Sequence, residues 1–263
     1  MVKTGGNFKP NLARTLTILG TSYRERGNLT EAIDCLKEAS DIYEELSANI
    51  DRYRYDYAFA LYNLGPAYWL KGRLDEAIKV LEDALKIDRD YADKDVRGLR
   101  DLARTLNNLG IAYRWQNRTD DAIGTLEEAA SCSRKLTDKE GNFKSDLAAY
   151  VYATTLYHLS AVYQRKGMVD EAIDRLKQAL EYKAIAEKGG PFMLRFIGIR
   201  IMLSRFFVIR GKADDIKSAR ELCTEVQKLL EQEEHQPRIS SNRLEYITLV
   251  RGQEDLQSLL LAS

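Results

Sequence analysis

The stretch Leu61–Ile78, LYNLGPAYWLKGRLDEAI, decides how the rest of the chain reads. Its Leu64-Gly65 has counterparts at Leu19-Gly20, Leu109-Gly110 and Leu159-Ser160, separated by 45, 45 and 50 residues. A tyrosine follows three positions after each glycine or serine: Tyr23, Tyr68, Tyr113 and Tyr163. Then comes a turn residue (Gly27, Gly72, Asn117, Gly167) and, five further on, an alanine (Ala32, Ala77, Ala122, Ala172). Leu36, Leu81, Leu126 and Leu176 follow, then Ala39, Ala84, Ala129 and Ala179.

These spacings have a helical meaning. Leu16, Leu19, Gly20 and Tyr23 share one face of a helix, and Ala32, Leu36 and Ala39 share one face of the next. The turn residue stops the first helix by accepting positive φ. Thr30, Asp75, Asp120 and Asp170 fall where side-chain oxygens can cap the second helix and suit its dipole. The small residues at Gly20, Gly65, Gly110 and Ser160 are expected opposite Ala32, Ala77, Ala122 and Ala172, so that two antiparallel helices approach closely. Each hairpin has an apolar stripe it cannot bury alone, so stacking of neighbours makes a solenoid.

The pattern resembles the tetratricopeptide repeat (TPR), whose signature contains Leu-Gly-x-x-Tyr followed by two alanines. The period exceeds the usual ~34 residues by about three helical turns, which lengthens helices without changing their phase. Long-period repeats of this kind look like those of kinesin light chains and of the TPR arrays on bacterial and fungal signalling NTPases. The resemblance implies an all-α, right-handed superhelical solenoid of antiparallel hairpins, about ten to twelve helices. We expect one solenoid domain over 1–263, with repeats at about 10–50, 51–93, 95–139, 144–188 and 191–234 and a degenerate cap at 240–263. GNFKPNLA (Gly6–Ala13) recurs as GNFKSDLA (Gly141–Ala148), three periods on. The fourth unit carries five extra residues, expected to lengthen or bulge its first helix. Gly189-Gly190-Pro191 and QEEHQPRISS punctuate the chain further on, and Asn242–Ala262 reads as two short helices around Gly252.

Composition narrows the function. The 263 residues carry 40 basic and 40 acidic side chains, 44% hydrophobic residues and four prolines. A neutral chain with no basic run gives no electrostatic case for nucleic acid or a membrane surface. No apolar run reaches the ~20 residues of a span, and the N-terminal residues lack the apolar core of a signal peptide. Three scattered cysteines without a CxxC pair read as free thiols. We expect a cytoplasmic protein. Two histidines, His158 and His235, and no P-loop, GxGxxG, GxSxG or HExxH leave no basis for an enzyme, a metal or a cofactor.

What remains is surface. In such a stack the first helices line the concave side, and their outward positions are those outside the signature. On this face lie Arg14, Phe59, Tyr62, Asn63, Trp69, Arg104, Asn107, Asn108, Arg114, Trp115, Tyr157 and His158, which we take as the candidate partner-binding residues. Aromatics, asparagine and arginine suit protein interfaces. The competing reading is that Phe59, Trp69 and Trp115 pack between neighbouring helices. TPR relatives often use an asparagine before Leu-Gly to bond the backbone of an extended peptide, a role the resemblance implies for Asn63 and Asn108. Arg14, Arg24, Arg104, Arg114 and Arg165 bias the face positive, which favours an acidic or phosphorylated peptide, unless local glutamates pair with them. The carboxylate clamp of chaperone-binding TPRs is absent, because Thr17, Thr21, Tyr62 and Pro66 hold its positions.

The expected function is a non-catalytic adaptor that holds a peptide or helix of a partner protein in its concave groove. A sensor or oligomerisation region of a larger signalling protein, or a regulator that binds a peptide signal, is the alternative. We expect a monomer or weak self-association. Pro66 lies outside the packing code on the concave side. It should bend its helix and leave the Tyr62 carbonyl as an exposed acceptor beside Asn63.

Overall fold

The structure, a computed structural model, describes residues 8–138, 143–182, 191–234 and 243–262. Gly189 and Gly190, the Gly-Asn starts at 6–7 and 141–142, and His235 lie outside the described residues. Two compact units divide the chain, Met1–Leu136 and Thr137–Ser263.

The first unit holds three hairpins: α1 (Phe8–Glu25) with α2 (Leu29–Ser47), α3 (Arg52–Leu70) with α4 (Leu74–Ala92), and α5 (Val96–Trp115) with α6 (Thr119–Arg134). The second holds α7 (Asp146–Arg165) with α8 (Val169–Leu180), α9 (Pro191–Arg210) with α10 (Ala213–Glu234), and α11 (Arg243–Ala262). The described residues are all-α apart from one isolated antiparallel bridge between Thr137 and Phe143.

The turns follow from backbone chemistry. Gly27, Gly72 and Gly167 sit at φ 81°, 81° and 77°, and Asn117 takes the same left-handed region at 63°. Asparagine is the non-glycine residue best able to do so. The next residue's N–H then reaches back to the signature tyrosine: Asn28 to the Tyr23 carbonyl, Arg73 to Tyr68, Arg118 to Tyr113 and Met168 to Tyr163, at 2.9–3.0 Å. This closure satisfies carbonyls the helix end would orphan.

The second helices begin two residues earlier than the capping pattern suggests. Asn28, Arg73, Arg118 and Met168 occupy the N-cap and make no side-chain cap bond. Thr30, Asp75, Asp120 and Asp170 fall instead within the first turn, where a carboxylate suits the dipole without capping. The N-cap arginines do other work. Arg73 and Arg118 bond Glu76 and Asp121 and lay their guanidinium groups over the Tyr68 and Tyr113 rings, at 4.7 and 4.3 Å.

Close approach inside each hairpin is set by glycine against leucine rather than chiefly by glycine against alanine. A Cβ on Gly20, Gly65 or Gly110 would lie 2.6, 2.5 or 2.6 Å from Cγ of Leu36, Leu81 or Leu126. Those leucines and the paired alanines are fully buried. In the fourth hairpin Ser160 replaces the glycine; its hydroxyl donates to the Tyr157 carbonyl at 2.8 Å, so it too is buried without an orphaned donor. Gly124 differs: it sits exposed in α6, and a Cβ added there would meet nothing within 4 Å. Gly124→Ala should therefore stabilise the protein by about 0.5–1 kcal/mol through helix propensity alone, read as an upward shift of the urea midpoint.

The long period becomes longer helices. Links of four and three residues join α2 to α3 and α4 to α5. The five extra residues of the fourth unit do not lengthen its first helix: α5 and α7 are both 20 residues long and both begin ten residues before their signature leucine. The insertion falls in the connection between α6 and α7. Ser145 starts α7 by accepting from the Ala148 N–H at 3.2 Å. The C-terminal stretch is one helix, α11, rather than two. Gly252 lies inside it facing Ile201, and Gln253 donates to the Cys223 carbonyl at 2.8 Å, tying α11 to α10. Pro66 is buried in α3, which runs through it, so it does not face an open groove.

Candidate functional site

In the first unit the extensions of the three first helices meet. Arg14 comes from α1, Tyr55, Asp56 and Phe59 from α3, and Arg97, Arg100, Asp101 and Arg104 from α5. With Thr17, Ile18 and Tyr43 they line a cleft of about 330 Å³, within the size range of ligand pockets. Asp101 is its electrostatic hub. Its carboxylate accepts from the Tyr55 hydroxyl and pairs with Arg100 and Arg104, both at 3.3 Å. Burial pushes the Asp101 carboxyl above the usual range, while Arg104 pulls it back. Arg104 also stacks over the Tyr62 ring at 4.4 Å, and that ring stacks on Phe59 at 6.2 Å. Arg97 donates to the Tyr55 hydroxyl at 2.9 Å and covers its ring at 4.4 Å. Asp56, raised by burial, is faced by Arg97, Arg52 and Arg14.

Beneath the cleft, Asp88 of α4 accepts from the Thr105 hydroxyl at 2.6 Å. It is 4% exposed, and burial drives its carboxyl up to about 6 against the pull of Thr105 and Arg104. The unfolded value is ~3.9, so the folded protein binds the proton more tightly. Stability from this group is fully present below about pH 4 and is lost as pH rises through about 6. Asp88→Asn keeps an acceptor for Thr105 and should remove that fall, measured as a flatter dependence of the urea midpoint between about pH 4 and 7 than in wild type.

Ten residues along the same helices lies a second feature. Trp69 and Trp115 stack at 6.4 Å and 19° between planes, with Arg114 5.6 Å from the Trp115 ring. Trp115 is 55% exposed, and Leu70, which follows Trp69 in the chain, is 48% exposed. Trp69 packs partly against the core formed by Leu64, Tyr68 and Ile33, and its indole N–H is buried without a partner among the described residues.

The other sequence candidates fall as follows. Arg14 and Phe59 are exposed, and Tyr62, Arg104 and Asn108 half-buried. Asn63 is 5% exposed and donates to the Phe59 carbonyl of its own helix at 2.8 Å; Asn107 is 8% exposed. In the second unit Tyr157 and His158 are half-buried, their rings edge-on at 5.3 Å, with Arg195 over Tyr157 at 5.0 Å. Sequence reasoning missed Tyr55, Asp56, Arg97, Arg100 and Asp101. They sit three, four and seven residues before Phe59 and Arg104, so extending the helical face backwards from those two would have reached them.

No helix among the described residues is long and apolar enough to cross a membrane, and among them no cluster of His, Cys, Asp or Glu could hold a metal. Tetratricopeptide repeat family models match residues 12–47, 60–91 and 102–139. No curated protein matches the sequence. Among solved structures, the nearly identical TPR-like repeats of a protein from Podosopora anserina classed with kinesin light chains align with TM-score 0.60. The identity is 20%, over 88% of this chain and 100% of that one. BtubC (BKLC) from P. vanneervenii aligns with TM-score 0.65 and 19% identity, over 87% of this chain and 83% of that one. A Rap protein complexed with Competence and Sporulation Factor aligns with TM-score 0.59 and 16% identity, over 96% and 67%. The matched family is an interaction scaffold rather than a catalytic one. Repeated hairpins closed by left-handed turns, glycine set against leucine at the first three crossings, and three family matches in register identify the chain as one that carries tetratricopeptide repeats.

Proposed function

We propose that this chain is a cytoplasmic adaptor that holds an acidic peptide or helix of a partner protein along the first-helix face of its first unit. The arginine-lined cleft carries the reading. Four guanidinium groups converge on an open cavity, and only two carboxylates line it with them. A stacked tryptophan pair, Trp69 half-buried and Trp115 exposed, lies farther along the same helices. Phe59 and Trp69 are ten residues apart, about 15 Å along a helix, a distance that about five extended residues span. A peptide with an anionic group at one end and an apolar side chain at the other fits that spacing. The Rap relative, whose structure contains Competence and Sporulation Factor, supports the general idea that such a stack can hold another molecule.

Trp115→Ala removes a large, 55% exposed anchor. Hot-spot anchors of this type cost about 2 kcal/mol or more on truncation, roughly thirtyfold in affinity. Capture of the partner should fall by that factor in Trp115→Ala and fall again in Asn108→Ala, while the urea transition stays in place. Undiminished capture by both variants would remove the reading.

A further inference from the structure

Resting on that reading, we propose that the cleft recognises a phosphomonoester, the phosphorylated side chain of a partner peptide, rather than a simple carboxylate. Arg14, Arg97, Arg100 and Arg104 line it with Asp56 and Asp101, an excess of two positive charges. Arg52 beside Asp56 and Asp88 beside Arg104 flank these groups without lining the cleft, and counting both leaves the excess at two. A phosphomonoester carries about −1.5 to −2 near neutral pH, whereas a carboxylate carries one charge and would leave a guanidinium uncompensated.

The arginines are not equivalent. Asp101 pins Arg100 and Arg104 from below, at 3.3 Å each. Arg14 is exposed and makes no hydrogen bond or ion pair among the described residues. Arg97 spends its Nε on the Tyr55 hydroxyl, which leaves the two terminal nitrogens of its fork for a ligand. Two anchored and two available guanidiniums around one cavity suit an oxyanion with three acceptor oxygens. At about 330 Å³ the cavity exceeds a bare phosphate, and the exposed Ile18 and Phe59 side chains give its wall apolar surface for the organic part of an ester.

The test is calorimetric titration of the full chain at about pH 8, above the second phosphate pKa of about 6, with phenyl phosphate, phenyl sulfate and inorganic phosphate. Phenyl sulfate has the same shape and one charge fewer. Phenyl phosphate should bind at least tenfold more tightly than either, and Arg14→Gln with Arg97→Gln should abolish the preference. Both residues are exposed, so an unchanged urea transition accompanies the loss. Equal affinity for phosphate and sulfate esters, no saturable binding, or a preference that survives the double variant would overturn the proposal. Inorganic phosphate binding as tightly as the ester would overturn the ester assignment. Phosphatase treatment of the captured partner should release it, and retention would overturn the peptide as the source. Failure on these counts, with capture still dependent on Trp115, removes the phosphate reading alone. Loss of that dependence removes the groove reading itself.

Discussion

Leu81→Ala is expected to destabilise the protein by about 2–5 kcal/mol, and its cost should be coupled to Gly65. Leu81 is fully buried, and its Cγ and both Cδ atoms lie where a Cβ on Gly65 would be, at 2.5–2.8 Å. Large-to-small substitution there costs transfer energy and leaves a cavity at the hairpin crossing. Gly65→Ala alone inserts a methyl group into leucine already in place, and overpacking of this kind costs about 1–3 kcal/mol, against a helix-propensity gain of about 1. In the Leu81→Ala background the clash is gone and the added methyl fills part of the cavity. The glycine substitution should then be neutral or stabilising. A double-mutant cycle in urea measures this coupling. Additive costs would mean the glycine is required for some reason other than approach to Leu81. The same residue type is free at Gly124, so the opposite signs at Gly65 and Gly124 separate packing from propensity.

Asp101→Ala is expected to cost about 3–5 kcal/mol, because it strands buried charge. The carboxylate is 11% exposed in its side chain and holds Arg104, itself 23% exposed, together with Arg100 and the Tyr55 hydroxyl. Removing it leaves two guanidiniums side by side with no carboxylate between them. Arg104→Met in the same chain should recover much of the loss, since an apolar side chain of similar length removes the uncompensated charge. Urea unfolding of the two variants checks both halves. Asp101→Ala within about 1 kcal/mol of wild type, the range of an ordinary exposed pair, would show that the hub contributes little and that the cleft arginines are held by other means.

The repeat made much of the fold legible. Positions fixed by packing, such as Leu36, Leu81 and Leu126 against their glycines, recur because each hairpin solves the same steric problem. Asn117 could be read as a turn because it occupies the slot of Gly27 and Gly72 and has the side chain that best tolerates positive φ. Other features depend on contacts that do not repeat. The arginines at the second-helix N-caps stack on tyrosines of the preceding helix, which a capping rule based on oxygen acceptors does not anticipate. The placement of five extra residues between α6 and α7 is a choice between helix and link that periodicity leaves open, since both preserve the downstream register. Asn63 looked outward by register, yet its neighbour Pro66 is buried and its own amide turns back to Phe59.

The candidate site was legible only at its edges. Arg14, Phe59 and Arg104 stand two residues before their signature leucines and so attracted notice. Arg97, Arg100, Asp101, Tyr55 and Asp56 belong to the added turns, where no signature residue marks the phase. Their convergence arises because those turns extend α1, α3 and α5 side by side, so that unrelated sequence positions become neighbours. The long period therefore does more than lengthen helices: it supplies the walls of the cleft.

Amide hydrogen exchange of the full chain with and without its captured partner locates the binding surface. New protection is expected in α1, α3 and α5, concentrated at residues 14–18, 52–62, 69–70, 97–104 and 108–115, with α2, α4 and α6 unchanged apart from Tyr43 and its neighbours. Protection confined to the second helices, or to the second unit alone, would contradict binding along the first-helix face of the first unit.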